Sequence, residues 1–216
     1  MTNFQKRILT SSIVLPLSIF FILKGGNLLL SFLFIVFFIA NYELFSVFKK
    51  KIIILFLDLI LILSLFLIYH LREGDYASFQ ILIWFIVLTI CSDTGGYVFG
   101  KLLKWKKLTK ISPKKTFSGV LGSFILSIFS LFILDLINFP GDFEVKFSQP
   151  KFFFVAIILS LIAQAGDLTI SYFKRLEKIK DTGKVLPGHG GIFDRIDSLI
   201  FVIIFGFLLY SLNIIS

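Results

Sequence analysis

The chain has 216 residues, of which 57% are hydrophobic, 17% aromatic and only 16% charged, and its formal net charge is +9. Soluble globular domains are about half apolar and about a quarter charged. This composition excludes a water-soluble globular protein, a disordered chain and a disulfide-stabilised domain, and it predicts an integral membrane protein. The one cysteine, Cys91, cannot form an internal disulfide.

Apolar runs bounded by charged residues predict about seven transmembrane helices. Near-continuous Leu, Ile and Phe without alternation favours helices over a β-barrel. The first run resembles a signal peptide, but it has no small-residue cleavage site and continues to Lys24, so we interpret it as a retained span. The predicted spans are residues 8–23, 28–48, 52–70, 77–100, 118–138, 152–172 and 197–215.

These spans predict an all-α fold, a polytopic integral membrane helical bundle that forms a single domain over residues 1–216. Within it, amino-terminal spans occupy about 1–76 and a catalytic part about 77–216. One side of the bundle holds two basic residues in 6–7, three in 49–51, seven in 101–115 and six in 174–195, which is 18 of the 22. Because basic loops stay in the cytoplasm, the amino terminus is predicted to be cytoplasmic.

Several carboxylates fall inside the predicted spans, where an ionisable group is costly unless it faces the bundle interior or a water-filled cavity. Asp58 and Asp135 have no polar neighbours in sequence, so we interpret them as helix-packing groups. Glu43 lies beside Asn41 and Tyr42, and there a structural and a functional role are equally supported.

Asp93 stands in a polar stretch, residues 91–97, near the inner end of the fourth span. Gly95 and Gly96 would let another helix or a ligand approach the backbone closely. We interpret Asp93 as a candidate site residue. The alternative is a glycine packing notch in which the carboxylate has no function.

The densest polar pattern begins at Asp167. On a helix, Asp167, Ser171 and Lys174 share one face, which would carry a carboxylate, a hydroxyl and an ammonium where the span leaves the membrane. Asp194 and Asp197 likewise share a face in the first turn of the last helix. If these two helices pack together, three carboxylates converge, ringed by Lys174, Arg175, Lys180 and Arg195.

This set of residue types suits transfer of a phosphoryl or nucleotidyl group at a membrane surface. Carboxylates without His or Cys suit Mg²⁺, which is typically held by one or two carboxylates plus substrate phosphates. Surrounding cations neutralise charge on the transferred group. Glycines 188, 190 and 191 free backbone N–H groups for phosphate oxygens, and His189 between them is a phosphate- or nucleotide-binding candidate or a simple loop residue.

Other kinds of site do not fit the sequence. It has no GxxxxGK[ST] loop and no GxSxG elbow, and one Cys with two distant His residues makes a zinc site a poor fit. The basic loops do not have the pattern of a nucleic-acid surface, so no nucleic acid is expected as a partner. The alternative to an enzyme site is that the basic residues only mark the cytoplasmic side, with the carboxylates as their ion-pair partners and helix caps.

One long polar motif fills the carboxyl half of the chain. It runs Ser171-x-Phe173-Lys174-Arg175-x4-Lys180-Asp181-x-Gly183-x2-Leu186-Pro187-x-His189-Gly190-Gly191-Ile192-x-Asp194-Arg195-Ile196-Asp197. This motif resembles the signature of the phosphatidate cytidylyltransferases (CDP-diacylglycerol synthases). Residues 92–95 with 111–116, and Lys6-Arg7 before the first span, are also similar to that family. The chain has Phe117-Ser118-Gly119 where the family usually has Trp-Glu-Gly, so a carboxylate is lost at Ser118.

The resemblance implies a multi-pass enzyme of the inner (cytoplasmic) membrane with its active site facing the cytoplasm. It implies a homodimer that condenses CTP with phosphatidic acid, forms CDP-diacylglycerol for phospholipid biosynthesis, and depends on Mg²⁺ and a second cation, with K⁺ as a candidate. It implies metal binding by Asp167, Asp194 and Ser171, catalytic roles for Asp167, Asp194, Asp197, Lys174 and Arg175, and substrate binding by Ser171, Lys180, Asp181, His189, Gly190, Gly191, Arg195, Asp93, Ser112, Lys114 and Lys115.

Two alternatives remain open from the sequence. The first is the same chemistry on another lipid phosphate, such as an archaeol-type or polyprenyl phosphate, because the groove shape that selects the lipid is not readable. The second is a transporter or channel whose carboxylates mark a cation path, which would predict inverted repeats with paired broken helices. No such repeat is visible in the sequence.

Overall fold

The computed structural model describes residues 3–109, 112–136, 145–183, 185–187 and 190–215, without the side chains of residues 3, 4, 6–9 and 11. Within these residues the chain forms seven α-helices and two isolated β-bridges. Each helix overlaps one predicted span, so the all-helical fold is confirmed. The helices are α1 (Asn3–Lys24), α2 (Gly26–Val47), α3 (Lys51–Glu73), α4 (Tyr76–Leu103), α5 (Phe117–Leu136), α6 (Pro150–Leu176) and α7 (Phe193–Ser211).

Five helices, α2 to α6, are long and apolar enough to cross a membrane. In α1 the apolar part is the shorter stretch Ser12–Lys24. Helix α7 begins with charged residues, Asp194 among them, before its apolar run. The chain is therefore a multi-pass membrane protein, while the count of seven spans stays a prediction.

At one end of the bundle, which we call the capped end, side chains from the last turn of α3 bind backbone groups at the ends of α1 and α2. Arg72 donates from Nε to the carbonyl of Ile22 at 2.5 Å and from a terminal nitrogen to Leu23 at 2.6 Å. Glu73 Oε1 accepts from the backbone N–H of Gly26 at 2.7 Å. Because helix ends leave these backbone groups without partners inside the helix, the two side chains satisfy orphan groups of both helices.

The same end carries the turn between α3 and α4. Asp75 is the N-cap of α4 and accepts hydrogen bonds at Oδ1 from Ser78 N at 2.8 Å and from the Tyr210 hydroxyl at 3.3 Å. The hydrogen bonds from Ser78 lower the pKa of the Asp75 carboxyl below its ordinary value. Between α1 and α2, Gly25 has φ +67°, a left-handed conformation that favours glycine.

Two apolar clusters fill the bundle. The larger lies towards the capped end around Trp84, Phe85 and Phe152, all essentially inaccessible to solvent. The smaller lies towards the opposite end, where Leu44 of α2, Leu57 of α3 and other side chains of α6 and α7 meet. The second cluster thus supports the helix ends that carry the polar residues singled out in the sequence.

Helices α4 and α5 approach each other at backbone distance. A Cβ on Gly95 would collide with the backbone carbonyl of Gly122, and one on Gly122 would collide with Phe99. The close approach predicted for residues 95–96 is confirmed, and the approaching element is α5. Since Asp93 lies two residues before Gly95, this packing brings Asp93 beside the segment that leads into α5.

Candidate active site

A cavity of about 320 Å³ opens at the end of the bundle opposite the capped end. We call it the carboxylate cavity. Its walls come from α4, α5, α6 and α7 and from the segment between α4 and α5. It is lined by Ser92, Asp93, Gly96, Tyr97, Leu108, Ser112, Lys114, Lys115, Thr116, Gly119, Val120, Ser123, Gln164, Asp167, Asp194, Asp197 and Ser198.

The segment between α4 and α5 reaches the cavity because it folds back on itself. Lys107 and Thr116 form an antiparallel bridge, Leu108 N donates to Lys115 O at 2.8 Å, and Phe117 N donates to Lys106 O at 3.1 Å. We call the paired residues, 106–108 with 115–117, the 106–117 hairpin. It holds Lys115 at the cavity wall.

Asp167 on α6 is paired with a cation from that hairpin. Lys115 Nζ lies 2.7 Å from Asp167 Oδ2 and also donates to the carbonyl of Gln164 at 3.2 Å. Ser171, one turn further along α6, donates to Asp167 Oδ1 at 3.2 Å, as its spacing predicted. Both side chains of the ion pair remain partly exposed, so the pair is accessible from the cavity.

Asp194, at the start of α7, is held by three donors. Lys174 Nζ lies 2.9 Å from Oδ1, while the backbone N–H groups of Thr182 and Gly191 donate to Oδ2 at 2.8 and 3.0 Å. The Lys174 and Asp194 side chains are only 9% and 5% exposed, so this is a buried ion pair. Each carboxylate oxygen can accept two bonds, and among the described residues Lys174 is the one donor to Oδ1.

Asp93 and Asp197 differ from these two because no lysine or arginine is ion-paired with them among the described residues. Asp93 Oδ1 accepts from the Ser198 hydroxyl at 3.4 Å, and Asp197 Oδ1 accepts from Ser198 N at 2.9 Å. Within the described part of the chain, Oδ2 of each has no hydrogen-bond donor. Both interact electrostatically with Asp167, and each also interacts with a nearby cation, Asp93 with Lys115 and Asp197 with Lys174. Like charges gathered around one cavity favour a bound cation.

Glu43 of α2 is only 1% exposed and caps the start of α7. It accepts from Ile192 N at 3.0 Å and Phe193 N at 3.1 Å, and from the Thr182 hydroxyl at 3.4 Å. A carboxylate at a helix N-terminus satisfies orphan N–H groups and interacts favourably with the helix dipole. The sequence left a structural and a functional role open for Glu43, and the structure shows the structural one. Glu43 also contacts Thr182, a loop residue whose backbone N–H binds Asp194.

The cavity gathers many, but not all, of the predicted site residues. Arg175, Lys180, Asp181 and Arg195 are exposed outside the lining, and His189 lies outside the described residues. Gly190 pairs with Leu186 in the loop before α7. Ser171, Lys174 and Gly191 bond directly to cavity carboxylates. The predicted residues that line the cavity are Asp93, Ser112, Lys114, Lys115, Asp167, Asp194 and Asp197, and their chemical roles stay predictions.

Sequence reasoning did not single out several hydroxyl groups around Asp93. Ser123 donates to the carbonyl of Ser92 at 2.8 Å, and the Ser92 and Ser160 hydroxyls lie 2.9 Å apart. A usable signal was present, because Ser123, Ser127 and Ser130 recur every three or four residues on α5 and predict a buried polar stripe on that helix.

The residues present fit a magnesium ion that is shared with a substrate. No three His, Cys, Asp or Glu side chains of the described residues are grouped to hold a metal ion unaided. Mg²⁺ does not require such a cage, since one or two carboxylates and substrate phosphates usually hold it. Asp93, Asp167, Asp194 and Asp197 all line the cavity and all supply oxygen donors, the ligand type that Mg²⁺ prefers.

Comparison with known proteins identifies the family. The model of the cytidylyltransferase family matches residues 49–213, which is most of the chain and includes every carboxylate of the cavity. The chain belongs to the cytidylyltransferase family. The resemblance found in the signature from Ser171 to Asp197 is thus confirmed at the level of the family.

Curated relatives within this family carry the name phosphatidate cytidylyltransferase. The chain is 42% identical to the one from Rickettsia conorii over 135 residues, covering 58% of this chain and 57% of the relative. It is 40% identical to that of Helicobacter pylori over 131 residues, covering 59% and 47%. With the Rickettsia felis protein it shares 34% identity over 204 residues, 92% of this chain and 88% of the relative. The chain therefore spans about half the length of the first two relatives and most of the third.

Proposed function

We propose that this protein condenses CTP with phosphatidic acid, giving CDP-diacylglycerol and pyrophosphate for phospholipid biosynthesis. The observation that carries the proposal is the carboxylate cavity. It combines four carboxylates with Lys114 and Lys115 at the end of an apolar helical bundle, where a lipid headgroup and a soluble nucleotide can meet. The family match and the names of the relatives support the same activity.

The protein is proposed to lie in the inner (cytoplasmic) membrane with seven spans. The cavity end joins the basic loops 49–51, 101–115 and 174–195, and such loops stay in the cytoplasm. That arrangement makes the amino terminus cytoplasmic and opens the cavity towards the cellular nucleotide pool. The resemblance to the family further implies a homodimer.

In the proposed reaction, a phosphate oxygen of phosphatidic acid attacks the α-phosphorus of CTP. A new P–O bond forms, the bond between the α-phosphorus and the oxygen bridging to the β-phosphorus breaks, and pyrophosphate leaves. The nucleophile is already an anion, so no strong general base is needed. Catalysis then depends on positioning and on neutralising charge.

The residues of the chain supply these two contributions. Lys114 is exposed at the cavity wall and would bind a substrate phosphate. Lys115 also lines the cavity, where it is ion-paired with Asp167. Lys174 orients the Asp194 carboxylate through their buried ion pair. Asp167 and Asp194, with Ser171 bonded to Asp167, would hold Mg²⁺ together with substrate phosphates, and a second cation, with K⁺ as the candidate, would lie near them.

Bound Mg²⁺ would supply neutralisation of the charge that develops on the transferred group. Asp93 and Asp197 each present an oxygen with no donor among the described residues, so they add acceptor capacity beside Asp167. These two carboxylates extend the predicted metal-binding pair.

The decisive experiment measures pyrophosphate release from CTP by the detergent-purified protein. We expect release to require phosphatidic acid and Mg²⁺ together with CTP, and the lipid product to contain cytidine. Asp197→Asn, for which we expect turnover to be about 100-fold lower, serves as the low-activity control. Folded wild-type protein that leaves CTP intact with every lipid phosphate would overturn the proposal.

A lipid panel separates the nearest alternative. If CTP is consumed with an archaeol-type or polyprenyl phosphate but not with phosphatidic acid, the transfer chemistry stands and the lipid substrate is different. Cation flux through proteoliposomes without CTP consumption would instead favour a transporter.

A further inference from the structure

The end of α4 carries a short segment that is both strongly basic and apolar. Residues 101–107 contain four lysines, Lys101, Lys104, Lys106 and Lys107, and every residue of the segment is exposed. Between the lysines, Leu102 is 73%, Leu103 50% and Trp105 51% exposed. We call residues 101–107 the lysine–tryptophan strip.

The strip is joined directly to the carboxylate cavity. The backbones of Lys106 and Lys107 form one side of the 106–117 hairpin, and the other side carries Lys114 and Lys115 into the cavity wall. Backbone pairing fixes this connection, so the strip stands at the cavity edge rather than on an independent loop.

The chemistry of the strip matches one kind of surface. Trp is favoured where the bilayer meets water, because its ring is apolar and its N–H is polar, and leucines beside it bury in the acyl boundary. Lysines at the same level are attracted to anionic headgroups, and the attraction adds up over several lysines. Four lysines interspersed with three exposed apolar side chains therefore suit a bilayer surface that carries negative charge.

We propose that the lysine–tryptophan strip binds anionic lipid headgroups at the bilayer surface and concentrates them at the edge of the carboxylate cavity. Binding by the strip is independent of the enzyme activity. Its benefit to the reaction rests on the proposed function, since the lipid substrate would itself be anionic. The same lysines could instead attract the nucleotide, and the experiments below separate the two partners.

Tryptophan fluorescence tests the binding without any turnover. The chain has two tryptophans, and Trp84 is buried, so quenching of Trp105 is isolated by subtracting the Trp105→Phe signal. Purified protein is placed in vesicles of neutral phosphatidylcholine with a minor fraction of brominated phosphatidylglycerol or, separately, brominated phosphatidylcholine. We expect quenching by the anionic lipid to be at least about 2-fold stronger at low salt, with the difference fading at high salt.

A matched pair of variants assigns this preference to the strip. The triple variant Lys104→Ser, Lys106→Ser, Lys107→Ser should lose the preference for anionic lipid. The triple variant Lys49→Ser, Lys50→Ser, Lys51→Ser removes the same charge from the same end of the bundle, away from the hairpin, and should retain it. Equal quenching by the two lipids in the wild-type protein, or equal loss in both variants, would overturn the proposal.

Kinetics then identify what the strip delivers. With phosphatidic acid diluted in neutral lipid, the strip variant should show a KM for the lipid raised at least about 3-fold, with kcat and the KM for CTP within about 2-fold of wild type. A rise in the KM for CTP alone would show that the strip attracts nucleotide and would overturn lipid delivery. If wild type shows the quenching preference but no turnover, the proposed function fails while the binding surface stands.

Discussion

The two ends of the helical bundle use similar charged residues for different purposes. At the capped end, Arg72 and Glu73 complete the ends of α1 and α2, and Asp75 caps α4. At the opposite end Glu43 caps α7 in the same way, but Asp93 and Asp197 leave carboxylate oxygens facing a cavity. One end therefore uses its charged side chains to cap helices, while at the other end some carboxylates line a cavity.

This difference distinguishes carboxylates that stabilise the fold from carboxylates that are placed to bind a cation. A carboxylate whose oxygens accept hydrogen bonds from backbone N–H groups stabilises the fold, so its removal lowers the free energy of unfolding. A carboxylate with unused acceptor capacity beside like charges contributes little to stability and much to cation binding. By its contacts Asp194 belongs to the first group, because backbone donors bind Oδ2 and Lys174 binds Oδ1, and its proposed place at the metal site is an additional role.

Asp194→Asn should have the largest effect. It removes a proposed metal ligand and leaves Lys174 buried without its counter-charge, so we expect turnover to fall at least about 1,000-fold and stability by about 3–5 kcal/mol. Turnover and thermal unfolding in detergent measure the two losses. The double variant Asp194→Asn, Lys174→Met should recover stability without activity. Near-wild-type turnover in folded Asp194→Asn protein would remove Asp194 from the metal site.

Asp197→Asn should separate activity from stability. The asparagine oxygen can still accept from Ser198 N, and no ion pair is broken among the described residues, so stability should change by less than about 1 kcal/mol. Turnover should fall about 100-fold or more because a carboxyl group proposed to bind the cation is lost from the cavity. Mg²⁺ titration of the residual activity should show a raised half-saturation concentration. A variant that is destabilised as strongly as it is inactivated would place Asp197 with the capping residues.

Glu43→Gln and Glu73→Gln form a matched pair across the two ends. Each replaces a carboxylate that accepts backbone N–H groups at a helix start, so each should lower stability, Glu43→Gln by about 1–3 kcal/mol because it is buried. Only Glu43→Gln should also lower kcat, by about 10-fold, because Glu43 holds the loop that binds Asp194. Equal kcat values for both variants, well below their melting temperatures, would make Glu43 a cap alone.

Asp75 should have the smallest effect. Asp75→Ala should lower stability by about 0.5–1 kcal/mol at pH 7 and leave kcat unchanged. Folding lowers the Asp75 pKa, so this stabilisation is complete above the ordinary value of 3.8 and is lost as pH falls through the lower folded value. The difference in melting temperature from wild type should therefore be constant from about pH 7 to pH 5 and shrink below about pH 4. A difference that grows on acidification would contradict the sign of this shift.

The helices were predictable from sequence because length and hydropathy determine them locally. Seven runs of apolar residues became seven helices, and their bounds shifted by a few residues where caps intervened, as at Phe193. The contact of Ser171 with Asp167 was predictable too, since both lie on one helix at a fixed spacing. The pairing of Lys115 with Asp167 was not, because it depends on how the hairpin folds against α6.

Sequence by itself determined that this is a helical membrane protein of the cytidylyltransferase family, because composition, helical period and a dense local signature are properties of neighbouring residues. Only the tertiary structure decided which carboxylates accept hydrogen bonds from helix N–H groups and which line the cavity. Glu43 and Asp93 are both acidic residues with polar neighbours inside predicted spans, and the sequence left a structural role open for each. Glu43 accepts hydrogen bonds from N–H groups at the start of α7, whereas Asp93 lines the cavity. This distinction depends on the packing of helices that are far apart in sequence.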